Sequence, residues 1–263
     1  MDSFTKANDM NLKSTALEFG YGNSFYPKSP LDLNLEPGLF LGIIGLNGAG
    51  KSTLLRTLYN QLVPLGGNIY YGDRLVADLG PQKMARELAI VLPNATTPPF
   101  LTLEELLMLG RIPHHSFKLK RTLEDEHIMD GVINQLNLGS YRGRRLGEMS
   151  DGERQKAMIG RALMQQTQIL VLDEPTTHLD LNNCAQVMSL LVQLSKAGKT
   201  ILCASHAIEL ILQSADSIIL LDKASGTIEY NSPNTLVENG SIERVFASNL
   251  LKFDAAQIRF KLK

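Results

Sequence analysis

A chain of 263 residues, 44% hydrophobic and 20% charged, has length for one large or two small domains and is too apolar to be disordered. Its net charge of −1 gives no basic excess for general binding to nucleic acid or anionic lipid. Cys184 and Cys203 show no metal spacing, Met1–Lys6 has no apolar signal core, and no apolar run approaches the roughly 18 residues of a membrane span, so a reduced, cytoplasmic chain that meets a membrane only through a partner is expected.

In chain order, "STALEFGYG" (14–22) reads as a first strand ending in a turn. The alternating Leu31-Asp32-Leu33-Asn34-Leu35 reads as a half-exposed strand, and "EPG" (36–38) as a turn. Leu39–Ile44 is a continuous apolar strand, the pattern of a sheet covered on both faces. It runs directly into "GLNGAGKST", Gly45 to Thr53. The spacing Gly45-x-x-x-x-Gly50-Lys51-Ser52 is that of a phosphate-binding loop. Gly45, Gly48 and Gly50 let successive N–H groups, those of Asn47, Ala49 and Thr53 among them, turn toward an anion. Lys51 adds a cation for the β- and γ-phosphates, and Ser52 offers a hydroxyl to Mg²⁺. A helix predicted over 52–61 places its positive end at the phosphates. The bland alternative is a glycine-rich strand-to-helix turn. It is disfavoured because the motif lies between a strand and a helix, as phosphate loops do.

"NIYYGDRLVADL" reads as strand, Gly-Asp turn and strand; a helix over 81–88 leads into the buried strand "LAIVLP". From Thr102 to Gln166 the pattern is helical, and Thr102–Glu105 and Ser150–Glu153 both fit the capping box that opens helices. "QILVLDEP" is again a buried strand. It is followed by a helix over 183–197, strand "TILCAS", a helix over 207–213, strand "SIILLD", and "GTIEYN". This alternation implies a mainly parallel sheet with a helical insertion.

Asp173, at the end of an apolar strand, would sit beside the phosphate loop and hold Mg²⁺ through water. Glu174 next to it could polarise an attacking water. Two solvated acids at a strand end are the simpler alternative. "MSDGERQ" (149–155) offers a second anion site, with Ser150 capping a helix and Gly152 leaving an N–H bare; read alone, it is equally well just a helix cap.

The order of phosphate loop, helical insertion, "MSDGER", "LVLDEP", "THLD" and "SH" resembles the ATP-binding cassette (ABC) ATPases over about residues 14–250. "MSDGER" is similar to that family's signature, usually LSGGQ. The resemblance implies a single domain over 1–263 with the fold of an α/β P-loop NTPase. Its RecA-like core would be 1–93 and 167–231, its helical subdomain 94–166, and its C-terminal tail 232–263. It implies a head-to-tail homodimer in which each ATP lies between one subunit's phosphate loop and the other's signature, so Ser150, Gly152 and Glu153 would act in trans. Asp180 in "THLD" matches the acid of the loop at the dimer interface, and His206 the switch histidine at the γ-phosphate. Tyr21 matches the aromatic that stacks on adenine, with Tyr26 as its competitor. Asn94 stands where the family has a glutamine that reaches Mg²⁺ and the attacking water. Asp151 replaces the signature's first glycine.

Other readings are a P-loop small-molecule kinase, which has no use for "MSDGER", and a soluble cassette protein working on DNA, ribosomes or cluster assembly. "LTLEELLMLGRIPHHS" (101–116), with Gly110-Arg111 and Pro113-His114, resembles the ATPases of iron-siderophore, haem and vitamin B12 importers. That implies a separate permease dimer bound through the helical subdomain, an extracytoplasmic binding protein, and a place on the cytoplasmic face of the inner membrane. Iron-chelate import is the expectation, with haem or cobalamin as alternatives. Adjacent His114 and His115 rarely chelate one ion together, and Arg142, Arg144 and Arg145 read as a solvated face or a permease contact.

Overall fold

The computed structural model describes residues 11–21, 24–93, 98–115 and 121–263, without the side chains of 24–27. The chain opens with strands β1 (Leu12–Tyr21), β2 (Ser24–Leu35) and β3 (Phe40–Gly45), then helix α1 (Lys51–Leu58), strands β4 (Gly66–Tyr71) and β5 (Arg74–Leu75), helix α2 (Pro81–Glu87) and strand β6 (Leu88–Val91). Helices α3 (Leu103–Leu109), α4 (Leu123–Gln135) and α5 (Asp151–Met164) follow. The alternation then resumes with β7 (Ile169–Asp173), α6 (Leu181–Lys196), β8 (Thr200–Ala204), α7 (Ile208–Ser214), β9 (Ser217–Asp222) and β10 (Thr227–Asn231). Helices α8 (Pro233–Glu238) and α9 (Ser241–Phe246) and the hairpin β11 (Leu251–Asp254) and β12 (Arg259–Leu262) complete the chain.

The main sheet has the order β10-β9-β3-β8-β7-β6, parallel except for the edge strand β10. Its inner strands are apolar throughout because both faces are covered. Alternate residues serve different cores. Phe40, Ile44, Leu170, Leu172, Ile201 and Cys203 face the helices α3–α7, whereas Leu41, Ile43, Ile169, Val171, Leu202 and Ala204 face α1 and a second sheet. That second sheet, β2-β1-β4-β5, is antiparallel. The six-stranded sheet is the mainly parallel one the alternation implied; the early strands pair among themselves beside it, because Leu12, Leu17, Phe19, Leu31 and Leu33 need only one buried face.

Each of α3, α4 and α5 starts on a capping box, at Thr102–Glu105, Thr122–Asp125 and Ser150–Glu153. The turn after α3 is fixed by Arg111, 3% exposed, whose guanidinium donates to Asp125 Oδ1 at 2.7 Å, Met164 O at 3.0 Å and Gln166 Oε1 at 2.8 Å. This buried ion pair ties the ends of α3 and α5 to the start of α4, and the Arg111 guanidinium and the Thr122 N–H and hydroxyl hold the Asp125 carboxyl far below the usual range against its burial. Among the described residues no helix is long and apolar enough to cross a membrane.

Candidate functional site

Strands β3, β7 and β8 are parallel neighbours, so their C-terminal ends open on one edge of the sheet, where open α/β sheets place their ligands. From β3 comes the loop Gly45–Gly50, from β7 Asp173 and Glu174, and from β8 Ser205 and His206. Gly48 and Gly50 adopt φ 71° and 95°, a region glycine enters freely, and Gly50 passes into α1 with no side-chain cap. The first N–H groups of α1 are therefore left for an anion.

Lys51, 6% exposed, donates from Nζ to Gly45 O at 3.0 Å. The same Nζ lies 3.9 Å from Glu174 Oε1 and 3.4 Å from each ring nitrogen of His206. The sequence showed no positive partner close to Glu174; the fold supplies one. Ser52 Oγ donates to Asp173 Oδ1 at 3.1 Å. Glu174 Oε2 accepts the His206 backbone N–H at 3.0 Å. Its Oε1 is buried without a hydrogen bond, although His206 Nε2 lies 3.1 Å away. Glu174 itself holds φ 52°, a strained conformation for a residue with a Cβ, fixed by its N–H donating to Ala204 O at 2.9 Å.

The electrostatics follow from this crowding. Burial lowers the Lys51 pKa, opposed by Glu174 and Asp173. Burial raises the Glu174 pKa, opposed by the His206 N–H and Lys51, with Asp173 adding to the rise. Burial and the Lys51 charge both lower the His206 pKa, opposed by Asp173, and so disfavour the charged imidazole. A half-paired cation, bare helix N–H groups and an orphaned carboxylate oxygen suit a polyphosphate with an attacking water. Ser52 and Asp173 present the hard oxygen donors that Mg²⁺ takes.

The remaining sequence candidates lie around this cluster. Tyr21 is exposed and its hydroxyl accepts from Arg56 Nη1 at 3.4 Å. Asn94 and the Tyr26 side chain lie outside the described residues. Ser150 caps α5, and its own N–H donates to Glu153 Oε2 at 2.7 Å; the other Glu153 oxygen accepts from the Tyr141 hydroxyl, so this carboxylate is engaged within its own chain. Asp151 pairs with Arg154, which also donates to Met149 O at 2.6 Å. Gly152 packs on Asn183 so closely that a Cβ would lie 2.6 Å from its side chain. Asn183 in turn donates to both oxygens of Asp180, which caps α6. The two histidines diverge. His114 Nε2 meets Gln165 O and His115 Nε2 meets Asp125 Oδ2, each at 2.9 Å, and among the described residues no cluster suits a metal ion. Arg142, Arg144 and Arg145 are exposed; Arg142 pairs with Asp130, and Arg144 lies over the Tyr141 ring.

Sequence reasoning missed two features. Buried Thr176 and Ser205 share a hydroxyl contact of 3.1 Å that ties the Glu174 loop to the His206 loop; a serine directly before the histidine was the available signal. Lys223, after β9, brings its Nζ within 3.3 Å of where a Cβ on Gly48 would be, and its position in the sequence gave no hint of that.

Known proteins share this arrangement. A family model described as "ABC transporter" matches residues 29–177. An uncharacterized ABC transporter ATP-binding protein of Methanocaldococcus jannaschii is 34% identical, over 96% of this chain and 87% of its own. The ferric enterobactin transport ATP-binding protein FepC of Escherichia coli is 30% identical, over 92% of this chain and 89% of its own. A crystal structure of an ABC transporter's ATP-binding cassette in its ADP conformation superposes with a TM-score of 0.79 at 20% identity, covering 91% of this chain and 99% of that one. With its phosphate loop, Asp173–Glu174 and His206 brought to one sheet edge, the chain belongs to the ABC transporter ATP-binding family and is an ATPase.

Proposed function

We propose that this chain energises the import of an iron chelate of the siderophore class through a separate membrane permease. The observation that carries the transport of a chelate is the likeness to FepC across nearly the whole chain. It is supported by the Gly110–His114 segment, where buried Arg111 organises the turn that the importer resemblance singled out. Haem or cobalamin would use the same machinery.

In this reading the loop N–H groups of Gly45–Thr53 and the Lys51 ammonium bind the β- and γ-phosphates, and Tyr21 stacks on adenine. Ser52 and Asp173 would hold Mg²⁺, which would neutralise charge on the phosphates. Glu174, whose pKa burial raises while Lys51 and the His206 N–H favour its charged form, orients the attacking water and takes its proton. His206, as a neutral imidazole, donates to the γ-phosphate; Asn94 supports the same water. Ser150, Gly152 and Asp180 complete the site of a second copy in a head-to-tail dimer. The helical subdomain 94–166 meets the permease, whereas 1–93 and 167–231 carry the nucleotide and 232–263 form the tail.

The test is reconstitution with the permease that copurifies with the full chain. ATP turnover should rise when binding protein loaded with a ferric siderophore is present, and not with haem- or cobalamin-loaded protein. If only water-soluble partners copurify, the import reading fails.

A further inference from the structure

The segment that carries His206 is held from two sides. Upstream, fully buried Ser205 contacts Thr176 and accepts the Ala207 N–H at 3.0 Å. Downstream, Glu209 in the first turn of α7 accepts the backbone N–H of Phe260 at 2.8 Å. Phe260 belongs to β12, whose only ladder partner among the described residues is β11. Its outward N–H is thus an edge group in need of an acceptor, and a carboxylate is a strong one.

The hairpin that offers this N–H is anchored. Phe260 packs against Phe253 and Phe246 with ring centroids 5.0 and 6.1 Å away, and Phe253 is buried in the same core as Ile211 and Leu212 of α7. Helix α7 sits hard on the sheet, since a Cβ on Gly42 would meet Ile211 Cγ2 at 2.4 Å. Its start is less secure: the cap at Ala207 has no side-chain hydrogen bond, and the His206 side chain is 51% exposed. Beside the Ser205 and Glu174 oxygens that accept the Ala207 and His206 N–H groups, the link between Glu209 and the last strand ties this first turn to the C-terminal hairpin.

We propose that Glu209 is a positioning residue for His206. Through the Phe260–Glu209 bond, the C-terminal hairpin acts as a clasp that holds the first turn of α7, so that the imidazole stays over Lys51 and Glu174. The inference rests on the reading of His206 as the γ-phosphate contact. Loss of the clasp lets the imidazole sample orientations that miss the γ-phosphate, while the phosphate loop Gly45–Thr53 is untouched.

The test compares Glu209→Met, of similar length but without an acceptor, with Glu209→Gln, which keeps a carbonyl acceptor, both in the full chain. Glu209→Met should lower kcat roughly five- to tenfold, about the worth of one hydrogen bond used for orientation. It should also shrink the preference for a non-hydrolysable ATP analogue over ADP by a similar factor, and Glu209→Gln should restore both. In a His206→Ala background, Glu209→Met should change nothing further. If His206→Ala alone keeps wild-type turnover and nucleotide preference, the reading of His206 fails. If His206→Ala loses them and Glu209→Met does not, or if Glu209→Met weakens ATP and ADP equally, the clasp is overturned. Should Glu209→Met not fold, Glu209→Ala serves for the same comparison.

Discussion

Ser52 reaches Asp173 across 121 positions of sequence, and Lys51 reaches His206 across 155. Ser150, by contrast, finds its side-chain partner three residues away in Glu153, and Asp151 finds Arg154 at the same spacing. The phosphate-loop end is thus assembled by the fold from several strands, whereas the signature end is a helix start that closes on itself. Among the described residues, no hydrogen bond or ion pair joins the two. In the proposed head-to-tail dimer, the first would bind a nucleotide unaided and the second would be half of a site that the phosphate loop of another copy completes.

The largest effects test that division. Lys51→Ala removes the cation at the phosphates and should cut turnover by at least about a thousandfold, with nucleotide affinity falling too. Ser150→Arg should abolish turnover while a single subunit still binds nucleotide. In mixed dimers, the loop of the Ser150→Arg chain meets the intact signature of the Lys51→Ala chain, so one site recovers. ATP turnover by purified heterodimers is the measurement, and absence of any recovery would break the comparison.

Next in size is Glu174→Gln, which keeps the shape and removes the base. Turnover should fall by about a hundred- to a thousandfold, as for loss of general base catalysis, while ATP still binds and closed dimers accumulate. Equilibrium binding with single-turnover kinetics separates the two effects; wild-type turnover would mean the base lies elsewhere.

How much of this was legible in the sequence divides along the same line. The capping boxes at Thr102 and Ser150, the glycines of the phosphate loop and the apolar run into Asp173 are local, and they read directly. So did the apolar character of β3, β7 and β8, because strands buried on both faces leave no polar alternation. The pairing of β1 with β2 and β4 in a sheet of its own depends on register between distant strands, which no local pattern records. The approach of Lys51 to Glu174, the Thr176–Ser205 contact and the Glu209–Phe260 bond are products of packing across more than two dozen residues, so composition and spacing were silent on them.

A smaller effect concerns the energy of the empty site. Burial raises the Glu174 pKa above its usual 4.5. A carboxyl with a raised pKa supports the fold while it is protonated, below its unfolded value, and that support is lost as pH rises through the folded value. Above that value, with pH 7.5 as the test condition, the nucleotide-free chain carries a buried charge that Lys51 and the His206 N–H only partly offset. Glu174→Gln should raise its Tm by about 2 °C, as expected for on the order of 1 kcal/mol in a chain of this size. The gain should vanish near pH 4. Thermal melts at both pH values decide it; a loss of stability at pH 7.5 would show that the Lys51 pair outweighs the burial.

The smallest effect falls on Asp151, the acid where the family has glycine. It lines the same cleft as Glu174 and His178, and its charge is covered by Arg154. Both side chains are substantially exposed, so the pair adds little stability, and screening weakens its reach toward a phosphate. As the first residue of α5, Asp151 also gains from the helix dipole, which Asp151→Gly forfeits along with some helix propensity. Removing the acid should therefore lower stability slightly and raise turnover only about two- to threefold, the latter at low salt alone. Arg154→Ala should do the opposite: it uncovers Asp151 at the face that, in the proposed dimer, a partner's γ-phosphate would approach, and turnover should fall by a similar factor. ATPase rates of both variants across a salt series provide the check. Changes in the same direction would mean that Arg154 acts through Met149 O and the helix start rather than by neutralising Asp151.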